Sequence, residues 1–575
     1  MAETHERARG DLLAWQASQP TNFFTSNRQL SRLLRTLHGE TAFAAHEAHY
    51  TFFGGVVAGE LDRAAIVNNR EGNLPRLDRY SPYGVRTEAI ENHPAYDVCG
   101  KAIYEHGRVI AVYGEPSANL RAQSLFFLSS HVGEASHNCP VACTAGVAKI
   151  LLGPASPELR EAFLRKVLSD RYAERYDGAQ FLTELQGGSD VGANAVEARP
   201  DGEAYGTTCW RIHGEKWFCS NPEADLILMT ARVQGAKAGT SGLGLFLVPR
   251  LLPSGETNAF RLRRLKEKLG TRSMPSAEID FEGAEAYAIG AVSDGFRHVM
   301  NHVINTSRLY NTVGCAGISR RAHLVAAGYA KSRKAFGRPV IDFPLMQEML
   351  ASTFASAAAL TAGALTLAAE ADRLEGAEGT EAERGFLRIA VNLVKMRSCQ
   401  HSHRSVLTGI ETLGGNGAIE SFSVLPRMLR DNVVYENWEG THNTLIAQTV
   451  RDLQRPALRD GFFQGLHSWS RRTEALASEL RSARDAIARA EIACASLPTD
   501  DAGFAALVLR PHADALGDAI FALAYAADIL TETDDARRTA ELAALEHFCE
   551  QHLTRERPER DRAYADRLAR LAPIL

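Results

Sequence analysis

A chain of 575 residues is too long for one simple hydrophobic core and implies two to four packed units. Hydrophobic residues make up 45% and charged residues 23%, ordinary globular proportions, and the formal net charge is −5. That balance excludes a general attraction to nucleic-acid phosphate or anionic lipid.

The stretch Met1 to Gly10 is polar and charged, without the apolar segment of a secretory signal. Nine cysteines without regular spacing fit reduced thiols, so a cytoplasmic protein is expected. Residues 1–180 read as a mainly helical N-terminal domain. Within it, Asn73 to His93 holds two prolines and a glycine and reads as an ordered loop, and a helical stretch follows Ser156 to about Asp177. Residues 181–290 read as a central β domain, with strand signals in Trp210 to Phe218, Asp225 to Val233 and Gly242 to Val248. Residues 291–455 read as a helical bundle built from segments 296–332, 344–373, 383–413 and 440–453. Leu374 to Thr380 is the solvated connection between two of these helices. Pro456 marks a boundary, after which 456–575 carry Ala/Leu/Arg helical patterning. The fold class is therefore α+β: a helical N-terminus, a β domain, a helical bundle and a further helical extension. Met349 to Ala369 is uncharged and long enough to span a bilayer, but its small residues suit a tightly packed bundle helix better.

Five segments have chemical potential, and each also has a plainer reading. Phe181-Leu-Thr-Glu-Leu-Gln-Gly-Gly-Ser-Asp-Val191 offers hydroxyls and backbone N–H groups to a phosphate or a planar ring, or is a simple turn. Gly214-Glu-Lys-Trp-Phe-Cys-Ser-Asn221 puts an aromatic two positions before a hydroxyl, suited to a flavin face or to a β core. Ser332-Arg-Lys-Ala-Phe-Gly-Arg-Pro339 is a basic, aromatic helix end, fit for pyrophosphate or for the helix dipole. Thr412-Leu-Gly-Gly-Asn-Gly417 allows close ligand approach or caps a helix. Asn437-Trp-Glu-Gly-Thr-His-Asn443 places a carboxylate beside an indole, as a base or as a helix-start acid. No Gly-x-Gly-x-x-Gly follows a strand and no Walker A motif occurs, so a nucleotide cofactor would bind in a non-Rossmann mode. Cys139 and Cys143, with His137 nearby, read as buried helix cysteines, and no metal is expected.

In this order and spacing, over roughly residues 130 to 453, the five segments resemble the acyl-CoA dehydrogenase family. The resemblance implies FAD as cofactor and α,β-dehydrogenation of an acyl-CoA thioester, with Glu439 as the catalytic base and hydride transfer to flavin N5. It implies that Thr183, Ser189, Phe218, Ser220, Gly414, Gly415, Thr441 and Asn443 hold the cofactor, and that Arg333 and Phe336 reach the FAD of a neighbouring subunit. Ser189 and Arg308 would contact substrate, and Ser307 occupies the position of an alternative base in some members. At least a dimer, and by resemblance a homotetramer, is implied, with an electron-transfer flavoprotein or oxygen as electron acceptor.

Trp438, Ala335 and Glu411 depart from the commoner tyrosine, hydroxyl residue and glutamine. The loop after Asn73, the His137–Gly146 segment and the extension resemble the larger, AidB-like branch of the family. That likeness keeps two other readings open: a flavoprotein with a nucleic-acid or stress-response role, and a flavin oxidase or monooxygenase on the same scaffold. Residues 456–575 contain 15 arginines, no lysine and 20 acidic residues, an excess of five acids, which places DNA binding below dehydrogenation.

Overall fold

The computed structural model describes residues 2–375, 379–554 and 562–571. Helices lead, strands occupy the middle of the chain and helices return after it, as the composition pattern implies. The chain divides into two units. One comprises Glu60–Leu125 and Glu134–Tyr310; the other comprises Met1–Gly59, Phe126–Gly133 and Asn311–Leu575.

The first unit is built on seven strands: β1 (Gly178–Phe181), β2 (Glu197–Ala204), β3 (Thr207–Ser220), β4 (Leu226–Val233), β5 (Leu243–Pro249), β6 (Phe260–Leu265) and β7 (Ser276–Ala288). Their order is β1-β4-β2-β3-β7-β5, with β6 on β7. β5 also pairs along β4, so five of the strands close on themselves. β4 and β5 are buried almost throughout, which explains their unbroken apolar runs. β3 alternates, sending Trp210 and Ile212 inward with Met229, Phe246 and Phe281. The apolar runs mark β3, β4 and β5; β7 escapes them because Glu278, Asp280, Glu282 and Glu285 interrupt it. The segment read as a loop from Asn73 contains an antiparallel hairpin, Arg76–Tyr80 on Arg86–Glu91. Its Pro82 and Gly84 lie in the turn, so the residues that read as loop punctuate a hairpin. After Ser156, whose hydroxyl caps Leu159 N–H, the helix covers only Pro157–Val167 before the chain turns towards β1.

The second unit is helical. From Asn311 it contains the greater part of α1 (Asn305–Ser332), then α2 (Pro344–Glu375), α3 (Glu381–Thr412), α4 (Leu425–Asn437) and α5 (His442–Leu453). The expected connection Leu374 to Thr380 includes residues 376–378, which lie outside the described residues. Thr380 and Glu383 form a capping box that starts α3. α4 lies outside the segments read as helices, and its Pro426 sits in the first turn, where the missing N–H is harmless.

Beyond Pro456 come α6 (Pro456–Arg472), α7 (Arg481–Ala495), α8 (Ala502–Ile529) and α9 (Asp535–His552). α6 packs on α3, and α8 packs on α2, α3, α7 and α9. α2 is the helix whose length and composition would permit a membrane span, and 94% of its most apolar window is buried within the protein. Its small residues have a packing reason: a side chain begun at Gly363 would fall 2.4 Å from Cδ1 of Phe521 on α8. The extension is also tied to the N-terminus. Arg32 places its guanidinium on Asp528 at 2.8 Å and Glu541 at 2.7 Å, and on Glu532, all inside the unit.

Two outcomes follow from this packing. Gly363→Ala, which in an exposed helix would stabilise, should here cost about 1–3 kcal/mol by overpacking, read as a lowered Tm. His131 and His137 are fully buried, each donating one ring N–H to a backbone carbonyl, of Phe127 and Tyr96 respectively. Burial pushes both down to about 3, whereas an unfolded histidine takes up its proton near 6.5. Their contribution is intact above 6.5 and is lost as pH falls, by about 2 kcal/mol each at pH 5. Denaturant midpoints should drop between pH 7 and pH 5, and less steeply in His131→Gln or His137→Gln.

Candidate functional site

The end of β3 carries the first set of candidate residues. Pairing with β7 changes register between Lys216 and Cys219, so Trp217 and Phe218 sit in a bulge that re-aims their rings. The ammonium of Lys266 lies 3.6 Å from the Trp217 ring centroid, while Phe218 is left 40% exposed. Ser220 shares a 3.0 Å hydrogen bond with Ser276.

This edge is braced from beneath. Lys216 is fully buried, with its ammonium 2.8 Å from Oε1 of Glu184 and donating to Leu182 O at 3.3 Å. Burial pushes Lys216 below its usual range, and the Glu184 charge works against that shift. Glu184 accepts in turn from the N–H groups of Ala195 at 2.6 Å and Val196 at 3.3 Å. The Trp217 N–H donates to Thr183 O at 2.9 Å. Thr183 and the aromatic bulge are therefore neighbours on one rigid edge. A Cβ at Gly188 would lie 2.6 Å from the Thr183 hydroxyl, so glycine preserves that hydroxyl's space. Ser189 is exposed. The Ser307 hydroxyl donates to Gln180 of β1 at 3.3 Å, and Arg308 is 4% exposed on α1.

The second set belongs to the helical unit. Glu439 is half-buried in the turn from α4 to α5, at φ 57°, followed by Gly440 at φ 105°. Left-handed backbone costs a non-glycine residue about 1–2 kcal/mol, so the surroundings must hold the turn. Lys395 of α3, fully buried, donates to Glu436 O at 3.1 Å and Gly440 O at 3.0 Å. Trp438 packs on Tyr435 with ring centroids 4.6 Å apart, and its indole N–H is buried with no partner among the described residues. Gln400 lies 3.2 Å from His442 Nδ1. With the Gln400 amide donating there, the proton is assigned to Nε2, which is also buried and unpartnered among the described residues. Thr441 occupies the N-cap position of α5, but its hydroxyl meets Thr444 at 3.0 Å instead of capping, and Asn443 is exposed.

Two further segments of that unit stand apart from the turn in sequence. Gly414, at φ 59°, closes α3, and open space lies where side chains would begin on Gly414 and Gly415. After Arg333, Lys334–Ala335 pair with Arg338–Pro339 in a minimal hairpin. Phe336 and Gly337 both take left-handed backbone at its tip, and Phe336 is 96% exposed. Thr183, Phe218 and Ser220 thus gather in the sheet unit, Glu439, Thr441 and Asn443 in the helical unit.

Among the described residues, one group of histidine and acidic side chains has metal-ligand spacing: His401, Asp518 and His552, with ligand atoms within 4.8 Å of one another. Arg397 already holds both Asp518 oxygens, at 2.9 and 2.7 Å, and His401 meets one at 2.7 Å. Burial opposes ionisation of Asp518, yet Arg397 and His401 outweigh it and keep the carboxyl below its usual range. The trio is a salt-bridge cluster, and a cation there would face a guanidinium. Cys139 and Cys143 lie on the helix Asn138–Leu152, and all nine cysteines are free thiols.

The two buried lysines escaped the sequence reading, though each left a signal. Lys216 shares the inward parity of Trp210 and Ile212 on β3. Lys395 is a lone charge in the run Ala390-Val-Asn-Leu-Val-Lys-Met396. Their partners, 32 and 41 to 45 residues away, are set by tertiary structure.

Comparison with known proteins identifies the domains of the chain. Residues 179–284 match the acyl-CoA dehydrogenase middle domain and 293–454 its C-terminal domain. Residues 15–174 match the N-terminal domain of the adaptive response protein AidB. AidB of Escherichia coli is 33% identical over 69% of this chain and 72% of its own. Acyl-CoA dehydrogenase family member 11 of Caenorhabditis elegans is 31% identical over 73% of this chain and 69% of its own. The crystal structure of that nematode enzyme in complex with C11-CoA superposes with a TM-score of 0.83 at 25% identity, covering 94% of this chain and 93% of the other. The chain therefore belongs to the acyl-CoA dehydrogenase family, in its long, AidB-like branch.

Proposed function

We propose that the protein catalyses the FAD-dependent α,β-dehydrogenation of an acyl-CoA thioester, with Glu439 removing the substrate's α-proton. One observation carries the reading most: a half-buried carboxylate at a left-handed position, φ 57°, in a turn whose Glu436 and Gly440 carbonyls are held by the buried Lys395 ammonium. Strained backbone of this kind gathers at functional sites, and a carboxylate fixed and half-buried there suits a positioned base. The nematode relative's complex with C11-CoA supports the choice of an acyl-CoA.

FAD is the cofactor of this family, and the residues present fit it. Phe218 offers an exposed aromatic face beside the Thr183 and Ser220 hydroxyls, which suit hydrogen bonds to a flavin ring edge. The open space at Gly414 and Gly415 lets backbone approach a diphosphate. Ser189, Thr441 and Asn443 would complete the polar contacts, and the projecting Phe336 with Arg333 would serve the FAD of a second subunit in a homotetramer. When bound, FAD supplies the two-electron acceptor for the hydrogen leaving the β-carbon. Glu439 takes the α-proton, and its backbone N–H is the donor to the thioester oxygen, where charge develops. Ser189 and Arg308 would orient the CoA portion. Electrons would leave through an electron-transfer flavoprotein or oxygen.

A nucleic-acid role is the second reading, and the acid excess of residues 456–575 argues against it. A salt-dependent DNA mobility shift would revive it.

The full-length protein should be yellow when purified and should bleach when titrated anaerobically with acyl-CoAs of graded length. Glu439→Gln should keep the flavin spectrum and lose about 10²–10⁴ in turnover. Near-wild-type turnover in that variant, or a colourless wild-type protein, would overturn the proposal.

A further inference from the structure

We propose that Lys395 is a positioning residue for Glu439, holding the Glu439–Gly440 turn in its left-handed conformation through a two-point clamp on the backbone. The inference rests on the reading of Glu439 as the base.

The ammonium of Lys395 donates to the carbonyls of Glu436 and Gly440, at 3.1 and 3.0 Å. These carbonyls bracket Glu439, one three residues before it and one immediately after. A lysine near a helix end often satisfies the last carbonyls, and the bond to Glu436, in the final turn of α4, would do that alone. The second bond has no such purpose. Gly440 lies beyond the helix, at φ 105°, and its carbonyl direction depends on the same two left-handed residues that aim the Glu439 side chain. With both carbonyls pinned to one ammonium, Glu439 cannot relax into extended or right-handed backbone without breaking a charge-assisted bond inside the protein.

Lys395 itself cannot drift. It is fully buried on the 32-residue α3, and Gln400, one turn further on, lies against His442 at 3.2 Å on the other side of the turn. Neighbouring groups are otherwise engaged: the Glu436 carboxylate takes His403 at 2.6 Å, and Cys399 lies 3.3 Å from Tyr435 O. The helix α3 thus touches the turn before, after and through Lys395.

The test uses full-length, FAD-loaded protein and saturated acyl-CoAs of graded length. Lys395→Met keeps an unbranched chain, one atom shorter, and removes its donors. Gly440→Ala disturbs the same turn without touching Lys395. Flavin content, kcat, KM and the exchange of substrate α-hydrogen with deuterated water are read for both, beside Glu439→Gln. The clamp predicts bound FAD, KM within about threefold of wild type, and kcat and α-exchange lowered together by about 10²-fold, the scale of a misplacement near 1 Å. A flavin-loaded Lys395→Met protein with wild-type kcat and α-exchange overturns it, as does a loss confined to KM. Should the methionine variant fail to fold, a flavin-loaded Gly440→Ala protein with wild-type kcat overturns it equally. Glu439→Gln separates the two claims: if it stays active, the base reading fails. If it is inactive while Lys395→Met is not, only the clamp fails.

Discussion

Irregular backbone inside a protein needs partners for its N–H and C=O groups, and this chain meets that need with buried charge. At the turn carrying Glu439, the carbonyls of Glu436 and Gly440 lie where no helix or strand can satisfy them, and the Lys395 ammonium serves both. A cation with three donors reaches two and binds each more strongly. The desolvation of that ammonium is a large cost, tolerable only because α3 is itself held on several sides by α2, α4, α5, α6 and α8. Packing of the bundle and geometry of the turn are therefore one problem.

The sheet unit meets the same problem in the same way. The bulge at Trp217 and Phe218 interrupts the β3–β7 ladder, and the segment from Leu182 to Val196 runs between β1 and β2 with only an isolated bridge and one short 3-10 turn. Lys216 and Glu184 are the pair beneath both: the lysine takes the Leu182 carbonyl, the carboxylate takes the Ala195 and Val196 N–H groups. Removing either partner would strand a charge in the interior, which costs far more than the pair contributes in place. In each unit a candidate site residue is exposed or half-exposed, and directly behind it stands a fully buried lysine. Rigidity is located under the site and openness at its surface, the arrangement a preorganised site requires.

Much of this was legible in the residues. Long apolar periodicities located α1, α2, α3 and α5, and continuous apolar runs located β4 and β5, because in those elements burial and sequence coincide. Where they diverge, the sequence misleads. β7 carries four acidic residues yet pairs with β3, β5 and β6, since its charges point to the pleat's other face or find arginines such as Arg263 and Arg264. α4, which no sequence segment marked, starts with Pro426 in its first turn. The Trp-Glu-Gly-Thr turn was visible as a motif, but its left-handed conformation was not, because glutamate is among the residues least expected there. What holds it lies 41 to 45 residues earlier, a separation that local pattern cannot bridge.

The extension after Pro456 makes sense in the same terms. Four of its acids turn inward: Asp528, Glu532 and Glu541 converge on Arg32, and Asp518 on Arg397 and His401. These acids act as internal counter-charges for basic residues contributed by the N-terminal helix Arg28–His38 and by α3. A surface that binds nucleic acid needs free cations in a row, whereas here the ionic pairing runs inward. Arg397 lies two positions from Lys395 and touches Gln400, which faces His442. Through Asp518 the extension therefore reaches the helix that clamps the turn. Its place in the unit is that of a buttress for α3: it fixes from outside the helix on which the geometry of Glu439 depends.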